Sequence, residues 1–439
     1  MKIKDKKVLV AGLGMSGAAV TRFLKNRGAV VTVTDMAKET QLSSYALMMR
    51  EMGVLLEMGK HHIETFERAD FIVLSPGVPH TIPPIKAAQK KGTPVMGEIE
   101  LAFRFIQEPI IAVTGTNGKT TTTTLLGKML EESGFKVFVG GNIGDPLIGY
   151  ADKGEKADIV VAEISSFQLD TIDTFRPKVG VLLNITEDHL DRYPNFTAYA
   201  HSKGRIFENQ EESDFAVLNS DDPVVRSVTG NIKSSKLETG QLQVSNFKFQ
   251  VSNANFLGQH NKDNASAACL AAMAAGGTPE GIQSALDNFR PLRHRIEYVA
   301  TINDVMYFDD SKATNTDAVV KALECFDNPV ILIMGGRGKG NGCEFESGHA
   351  LKEQVRQRTK KLISMGETGE DIISAFRDVT ETAAASSMED AVSQAYHAAE
   401  PGDVVLLSPA CSSFDMFRSY AERGDVFCRA VRELGVGKL

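Results

Sequence analysis

The chain has 439 residues, 42% hydrophobic and 24% charged, too many for one core and suited to two or three α/β domains. Its net charge of −8 speaks against a nucleic-acid-binding surface. The five cysteines, at 269, 325, 343, 411 and 428, form no CxxC pair or metal-ligand spacing, as expected of reduced thiols in a cytoplasmic protein. No stretch approaches the ~20 apolar residues that span a bilayer, and the start leads into a short strand-like run rather than a signal-peptide core, so no membrane insertion is expected.

The first predicted strand, from Lys7, passes through a GxGxxG turn (Gly12, Gly14, Gly17) into a helix. A second, over 29–35, ends in Asp35 about twenty positions on, which completes a dinucleotide fingerprint. Such a turn marks a pyrophosphate site without saying which nucleotide carries it, so NAD stays open here. A third strand, over 70–74, ends in Ser75-Pro-Gly-Val-Pro79, a turn at the carboxyl edge where ligands of these folds bind.

A second block opens on a strand from Ile110 that enters Gly115-Thr-Asn-Gly-Lys-Thr-Thr121 at the mouth of a helix. Backbone N–H groups and the positive helix end converge there on phosphate oxygens, Lys119 adds a charge, and the Thr120 hydroxyl is a Mg²⁺ ligand of the right kind. The spacing is shorter than a Walker A loop, whose first glycine is here Val113. Apolar runs over 137–140, 158–163 and 178–183 read as buried strands. They end at Gly140-Gly-Asn-Ile-Gly144, at Glu163-Ile-Ser-Ser-Phe-Gln168 and at Asn184-Ile-Thr-Glu-Asp-His-Leu-Asp191. A glutamate closing a hydrophobic strand is poorly placed for burial, and Mg²⁺ resolves that. In the helix predicted over 198–207, Lys203 falls on the apolar face with Ala200 and Phe207. Either its stem snorkels to solvent, or the amine is desolvated, neutral and open to CO₂. His260, Asn261 and Asn264 read equally as helix caps or nucleotide contacts.

In the third block, a strand over 305–310 leads into Ser311-Lys-Ala-Thr-Asn315. Another over 330–334 leads into Gly335-Gly-Arg-Gly-Lys339, and one over 361–365 follows. The last, over 403–408, leads into Pro409-Ala-Cys-Ser-Ser-Phe-Asp415. Two lysine turns and a serine turn on one sheet edge make an anion-binding face. Cys411 has no histidine near it in sequence and reads as packing rather than a nucleophile.

These motifs, in this order, resemble the Mur ligases of peptidoglycan synthesis over essentially the whole chain. Within that family the phrases Ser75-Pro-Gly77, Asp310-Ser-Lys-Ala-Thr-Asn315 and Leu407-Ser-Pro-Ala-Cys-Ser-Ser-Phe-Asp415 resemble the D-glutamate-adding branch. The resemblance implies three α/β domains: a Rossmann-like domain over 1–96 for a UDP-linked substrate, a central P-loop ATPase-like parallel-sheet domain over 97–299, and a Rossmann-like domain over 300–439 for the amino acid. It implies an ATP-dependent amide ligase that adds D-glutamate to UDP-N-acetylmuramoyl-L-alanine through an acyl phosphate, acting as a monomer with two Mg²⁺ ions. Lys119, Glu163, His189 and Lys203 are its implied catalytic set, with Thr120, Glu163, His189 and Lys203 at the metals and a CO₂-derived carbamate on Lys203. ATP falls to Gly115, Thr116, Asn117, Gly118, Lys119, Thr120, Thr121, Asn264, Arg295 and Asp310. The UDP substrate falls to Gly14, Met15, Ser16, Asp35, Ser75, Gly77 and Asn142, the last near the reacting carboxyl. D-glutamate falls to Lys312, Thr314, Lys339, Ser413 and Phe414. The GxGxxG is then read as holding UDP rather than NAD. One departure stands out: some relatives have Asp-Thr-Arg where this chain has Asp35-Met-Ala37, so an arginine contact to the nucleotide is missing.

Overall fold

The computed structural model describes residues 1–154, 156–239, 243–244, 247–250, 257–290, 292–338, 345 and 349–435. They divide into two compact units. One comprises Met1–Ile185, Asn195–Gln250 and Asp263–Asp287; the other comprises the described residues of Thr186–Pro194, Val251–Lys262 and Asn288–Leu439.

The first unit holds two parallel sheets. Strands β1 (Lys7–Ala11), β2 (Val30–Asp35), β3 (Leu55–Met58), β4 (Phe71–Leu74) and β5 (Val95–Gly97) are arranged β3-β2-β1-β4-β5. Strand order reverses between β1 and β4, so the turns after these two strands flank the crevice where ligands bind in such sheets. Strands β6 (Ile110–Thr114), β7 (Val137–Gly141), β8 (Ile159–Glu163), β9 (Val179–Leu182), β10 (Phe215–Leu218) and β11 (Ser235–Glu238) are arranged β11-β10-β9-β6-β8-β7. The central strands β4, β6, β8 and β9 are buried along their whole length, which is why they read as unbroken apolar runs. The edge strands β3 and β11 have four residues each; β11 is mostly polar, and β3 is broken by Glu57, so both give a weaker strand signal than the buried strands. A small hairpin pairs β12 (Gln243–Val244) with β13 (Phe247–Lys248).

The second unit carries a mixed sheet. Its strands β14 (Glu297–Ile302), β15 (Val305–Asp309), β16 (Val330–Gly335), β17 (Thr359–Met365), β18 (Glu381–Ala384) and β19 (Val404–Leu407) are arranged β14-β15-β19-β16-β17-β18. All neighbours are parallel except β14, which runs antiparallel to β15. Asn303 and Asp304, both at positive φ (50° and 64°), form the two-residue turn of that hairpin, a conformation these residue types tolerate. The strand expected over 305–310 thus has an antiparallel edge neighbour, β14, that the reading of the third block does not include. No described helix is long and apolar enough to cross a membrane.

Candidate active site

In the first unit, a cleft of about 850 Å³ opens at the strand-order reversal of the N-terminal sheet. It is lined by all seven residues assigned above to the UDP substrate: Gly14, Met15, Ser16, Asp35, Ser75, Gly77 and Asn142. The three glycines of the turn have different reasons to be glycine. A Cβ on Gly12 would lie 2.8 Å from Ser75 Cβ and one on Gly17 would lie 1.9 Å from the Gly12 carbonyl, whereas Gly14 meets nothing within 4 Å. Chain packing thus accounts for two of them, and the third leaves its backbone open to close approach by a ligand. Gly14 also caps helix Met15–Asn26, whose first turn carries no acid, so the positive helix end is not neutralised locally. Ser75 Oγ donates to the Gly12 carbonyl at 2.9 Å. Both Asp35 oxygens already accept backbone N–H groups, of Leu13 and of Ala37, each at 2.7 Å. Asp35 therefore braces this turn, and Lys60 and His61, which the sequence reading passed over, also line the cleft.

The phosphate turn joins β6 to helix Lys119–Glu132. Gly118 caps that helix at φ 84°, and a Cβ there would lie 2.2 Å from Asn264 Oδ1. Asn264 thus packs against the turn, while Asn261 donates to the Leu257 carbonyl at 2.8 Å. Neither residue is an N-cap, because the helix begins earlier, at Gln259. Asn184 clamps the other side: it accepts from Asn117 N at 2.8 Å and returns a bond to the Asn117 carbonyl at 3.0 Å. Lys119 Nζ donates to the carbonyls of Gly115 (2.9 Å) and Thr116 (2.8 Å). Thr120 and Thr121 are half-buried in the first helical turn.

Lys203 is only 2% exposed, so the snorkelling alternative fails. It lies in helix Phe196–Gly204, which is capped by Asn195 and gives way to a 3₁₀ turn at Arg205–Phe207. Its Nζ donates to the same Gly115 carbonyl at 2.7 Å and lies 4.7 Å from the Tyr199 ring centroid. Two lysines therefore converge on one carbonyl of the turn. On β8, paired with β6 at Val113, Glu163 is 2% exposed. Its Oε1 accepts from Asn142 Nδ2 at 2.8 Å, and its Oε2 is buried with no hydrogen-bond partner among the described residues. A buried carboxylate oxygen without a donor is costly, and a cation is the partner that fits it.

In the second unit, His189 adopts φ 56° with Nε2 3.6 Å from Asp188 Oδ2, and Asn315 Nδ2 donates to the same Asp188 oxygen at 3.4 Å. Asp310 follows β15, accepts from Ser408 Oγ at 3.0 Å, and is pushed up to about 8 by burial, against the opposing pull of Ser408 and Arg295. Arg295 is half-buried in the segment where His294 pairs with Asp309 at 2.7 Å. Lys312 Nζ sits 4.0 Å from the Tyr420 ring centroid. Thr314 is half-buried, Ser413 is buried and Phe414 is 64% exposed. Lys339 and Cys343 lie outside the described residues. Cys411 is buried with the Thr368 hydroxyl 3.3 Å away, which agrees with packing. The loops after β15, β16 and β19 are tied together by a residue the sequence reading missed. Arg423, 2% exposed, donates to Ser311 Oγ, Ser311 O, Gly335 O and Cys411 O.

Three family models match in chain order: "Mur ligase MurD-like, N-terminal domain" over residues 6–97, "Mur ligase middle domain" over 113–272, and "Mur ligase, glutamate ligase domain" over 294–411. The UDP-N-acetylmuramoylalanine--D-glutamate ligase of Desulfosudis oleivorans is 52% identical, with 100% of this chain and 98% of that protein covered. Its namesake in Desulfatibacillum aliphaticivorans is 50% identical, with 99% and 100% covered. Among solved structures, MurF ligase from Thermotoga maritima in complex with ADP superposes with a TM-score of 0.61 at 17% identity, covering 98% of this chain and 96% of that one. UDP-N-acetylmuramate-alanine ligase MurC from the same organism gives 0.58 at 19%, covering 99% and 100%, and these two show the shared fold. By full-length identity to such relatives, the chain belongs to the Mur ligase family, among its UDP-N-acetylmuramoylalanine--D-glutamate ligases.

Proposed function

We propose that the chain is an ATP-dependent ligase that adds D-glutamate to UDP-N-acetylmuramoyl-L-alanine, releasing ADP and phosphate. Full-length identity to relatives of that name carries the reading. The buried, partnerless Glu163 oxygen on the strand next to the phosphate turn supports the ATP chemistry. Three domains over 1–96, 97–299 and 300–439 correspond to the UDP substrate, ATP and the amino acid; the three large sheets support the number of domains, while the two boundaries fall inside β5 and β14.

A carboxylate is a poor electrophile, so the γ-phosphoryl of ATP is transferred to it, and the amine of D-glutamate then attacks the acyl carbon with phosphate leaving. The turn Gly115–Thr121 and Asn264 hold the phosphates, with Arg295 and Asp310 as further ATP contacts. Lys119, which here satisfies two carbonyls of its own turn, can swing its ammonium to the transferring phosphoryl group and stabilise the charge there. Thr120, Glu163, His189 and carbamylated Lys203 are the residues that would hold Mg²⁺, which when bound supplies charge neutralisation of the phosphoryl oxygens. Burial of Lys203 supports the carbamate, because burial favours the neutral amine that CO₂ requires. Asn142, hydrogen-bonded to Glu163 and lining the cleft, joins the UDP end to the reacting centre. Lys312, Thr314, Lys339, Ser413 and Phe414 receive D-glutamate, whose two carboxylates match cationic and hydroxyl donors.

The test is phosphate release from ATP with UDP-N-acetylmuramoyl-L-alanine and a panel of amino acids. Release is expected only with D-glutamate present. Equal release with lysine or diaminopimelate overturns the amino-acid assignment, and tight NADH binding without any release overturns the ligase reading.

A further inference from the structure

Helix Leu147–Asp152 has six residues, no side-chain bond at its N-cap Pro146, no acid in its first turn and no base in its last. A helix this short is not stable by itself in water, and both of its ends are served from elsewhere in the first unit. At the start, Glu98, immediately after β5 and 1% exposed, accepts from Ile148 N at 2.7 Å across 50 positions. Burial pushes this carboxyl up to about 7 against the pull of that amide, so its hold on the helix is a hydrogen bond more than a charge. At the other end stands Arg27, the residue after helix Met15–Asn26. It donates from Nη1 to Asp152 Oδ1 at 2.7 Å and from Nη2 to the Ala151 carbonyl at 3.3 Å, and Asn26 Nδ2 donates to Asp152 Oδ2 at 2.9 Å. The guanidinium lies 3.6 Å from the centroid of the Phe23 ring, which meets Phe105 edge-on. A cation at a helix C-terminus is the sign the helix dipole favours.

This clamp sets the segment that precedes the helix. Gly141 N donates to the Asp145 carbonyl (2.9 Å), Asn142 N to the Glu163 carbonyl (2.8 Å) and Asn142 Nδ2 to Glu163 Oε1 (2.8 Å). A Cβ on Gly141 would lie 2.5 Å from the Glu163 carbonyl oxygen, and one on Gly140 2.5 Å from that of Asp145. The loop thus has little room to absorb a displacement of the helix. Asn142 also lines the cleft, whereas neither Arg27 nor Glu98 does.

We propose that Arg27 and Glu98 are positioning residues for the ligation: they grip helix Leu147–Asp152 at its two ends and so fix Asn142 between the cleft and Glu163. The proposal rests on the reading of Asn142 at the reacting centre given above.

The experiment is a double-mutant cycle with Asn142→Ala in the full-length protein, read as turnover and as amide hydrogen exchange. Arg27→Ala and Glu98→Met are each expected to lower turnover about tenfold in the parent and less than about twofold once residue 142 is alanine, because residues acting through one group are not additive. The Michaelis constant for ATP should stay unchanged. Exchange at the Gly141 and Asn142 amides should quicken about tenfold in both variants. Glu98→Gln keeps an oxygen for the Ile148 amide and should recover most of the loss. Turnover unaffected by both variants, turnover lowered equally in the two backgrounds, or exchange at those amides within about twofold of the parent overturns the proposal and leaves the reading of Asn142 standing. If Asn142→Ala is itself as active as the parent, that reading falls and the proposal falls with it.

Discussion

Replacing Arg423 should loosen three loops of the second unit at once. Its guanidinium donates to Ser311 Oγ (2.9 Å), Ser311 O (2.8 Å), Cys411 O (3.1 Å) and Gly335 O (3.3 Å). Burial lowers its pKa to about 10, so it is still charged at neutral pH and all four bonds are charge-assisted. Arg423→Met keeps most of the volume but removes every donor. At about 1 kcal/mol per buried oxygen left without its partner, the loss is ~4 kcal/mol. Arg423→Lys retains a point charge that cannot span the fork, and about half the loss, ~2 kcal/mol, is expected. Because the chain has more than one unit, a single denaturation curve mixes transitions. Hydrogen exchange at the amides of β15, β16 and β19 is the direct assay, and ~2 kcal/mol corresponds to roughly thirtyfold faster exchange for Arg423→Lys. The Michaelis constant for D-glutamate should rise about tenfold with that for the UDP substrate unchanged, since only the second unit is perturbed. Exchange within twofold of the parent in Arg423→Lys would refute the view that this side chain holds the loops.

Lys119→Ala should lower turnover by roughly two to three orders of magnitude, the usual cost of one preorganised charge, with circular dichroism unchanged; near-normal turnover removes Lys119 from phosphoryl transfer. Glu163→Gln should raise the Mg²⁺ concentration for half-maximal activity about tenfold or more, and an identical Mg²⁺ dependence counts against metal binding there. For Asp310, whose folded pKa is raised by burial to about 8, both folded and unfolded states are protonated below about pH 4. Between there and about 8 the unfolded state releases a proton that the folded state keeps, so stability falls as pH rises and then levels off. Asp310→Asn removes that slope, so without ligands its stability relative to the parent should climb from pH 4 to 8; parallel pH profiles of the opening free energy of β15, read by native-state hydrogen exchange corrected for intrinsic rates, would show the carboxyl to be ionised when folded.

What the sequence determined by itself is local. Strands buried on both faces, such as Ile110–Thr114 and Ile159–Glu163, must be continuous apolar runs, and their ends are marked by glycine and polar residues. The turns at Gly12 and Gly118 need positive φ, which leaves glycine in the chain as a visible trace. The carboxyl-edge rule marks the turns after β1, β2, β4 and β7 as ligand-facing, and the structure gathers them around one cleft, whereas the assignment of that cleft to UDP rests on the family resemblance. The Asn303-Asp304 hairpin is also legible, because these residue types tolerate the positive φ of a two-residue turn. Other features depended on partners far away in the chain. Periodicity put Lys203 on an apolar face, but the Gly115 carbonyl, 88 positions away, receives its amine. Arg423 meets Ser311 across 112 positions, and Asn184 meets Asn117 across 67. Lys60 lines the cleft next to Gly59, whose N–H donates to the Asp35 and Ala37 carbonyls of a separate loop. A hydrophobic period reports which face of an element is buried. It carries no information on which backbone carbonyl, glycine or carboxylate waits on the other side, because that is set when separate elements pack and their side-chain directions meet.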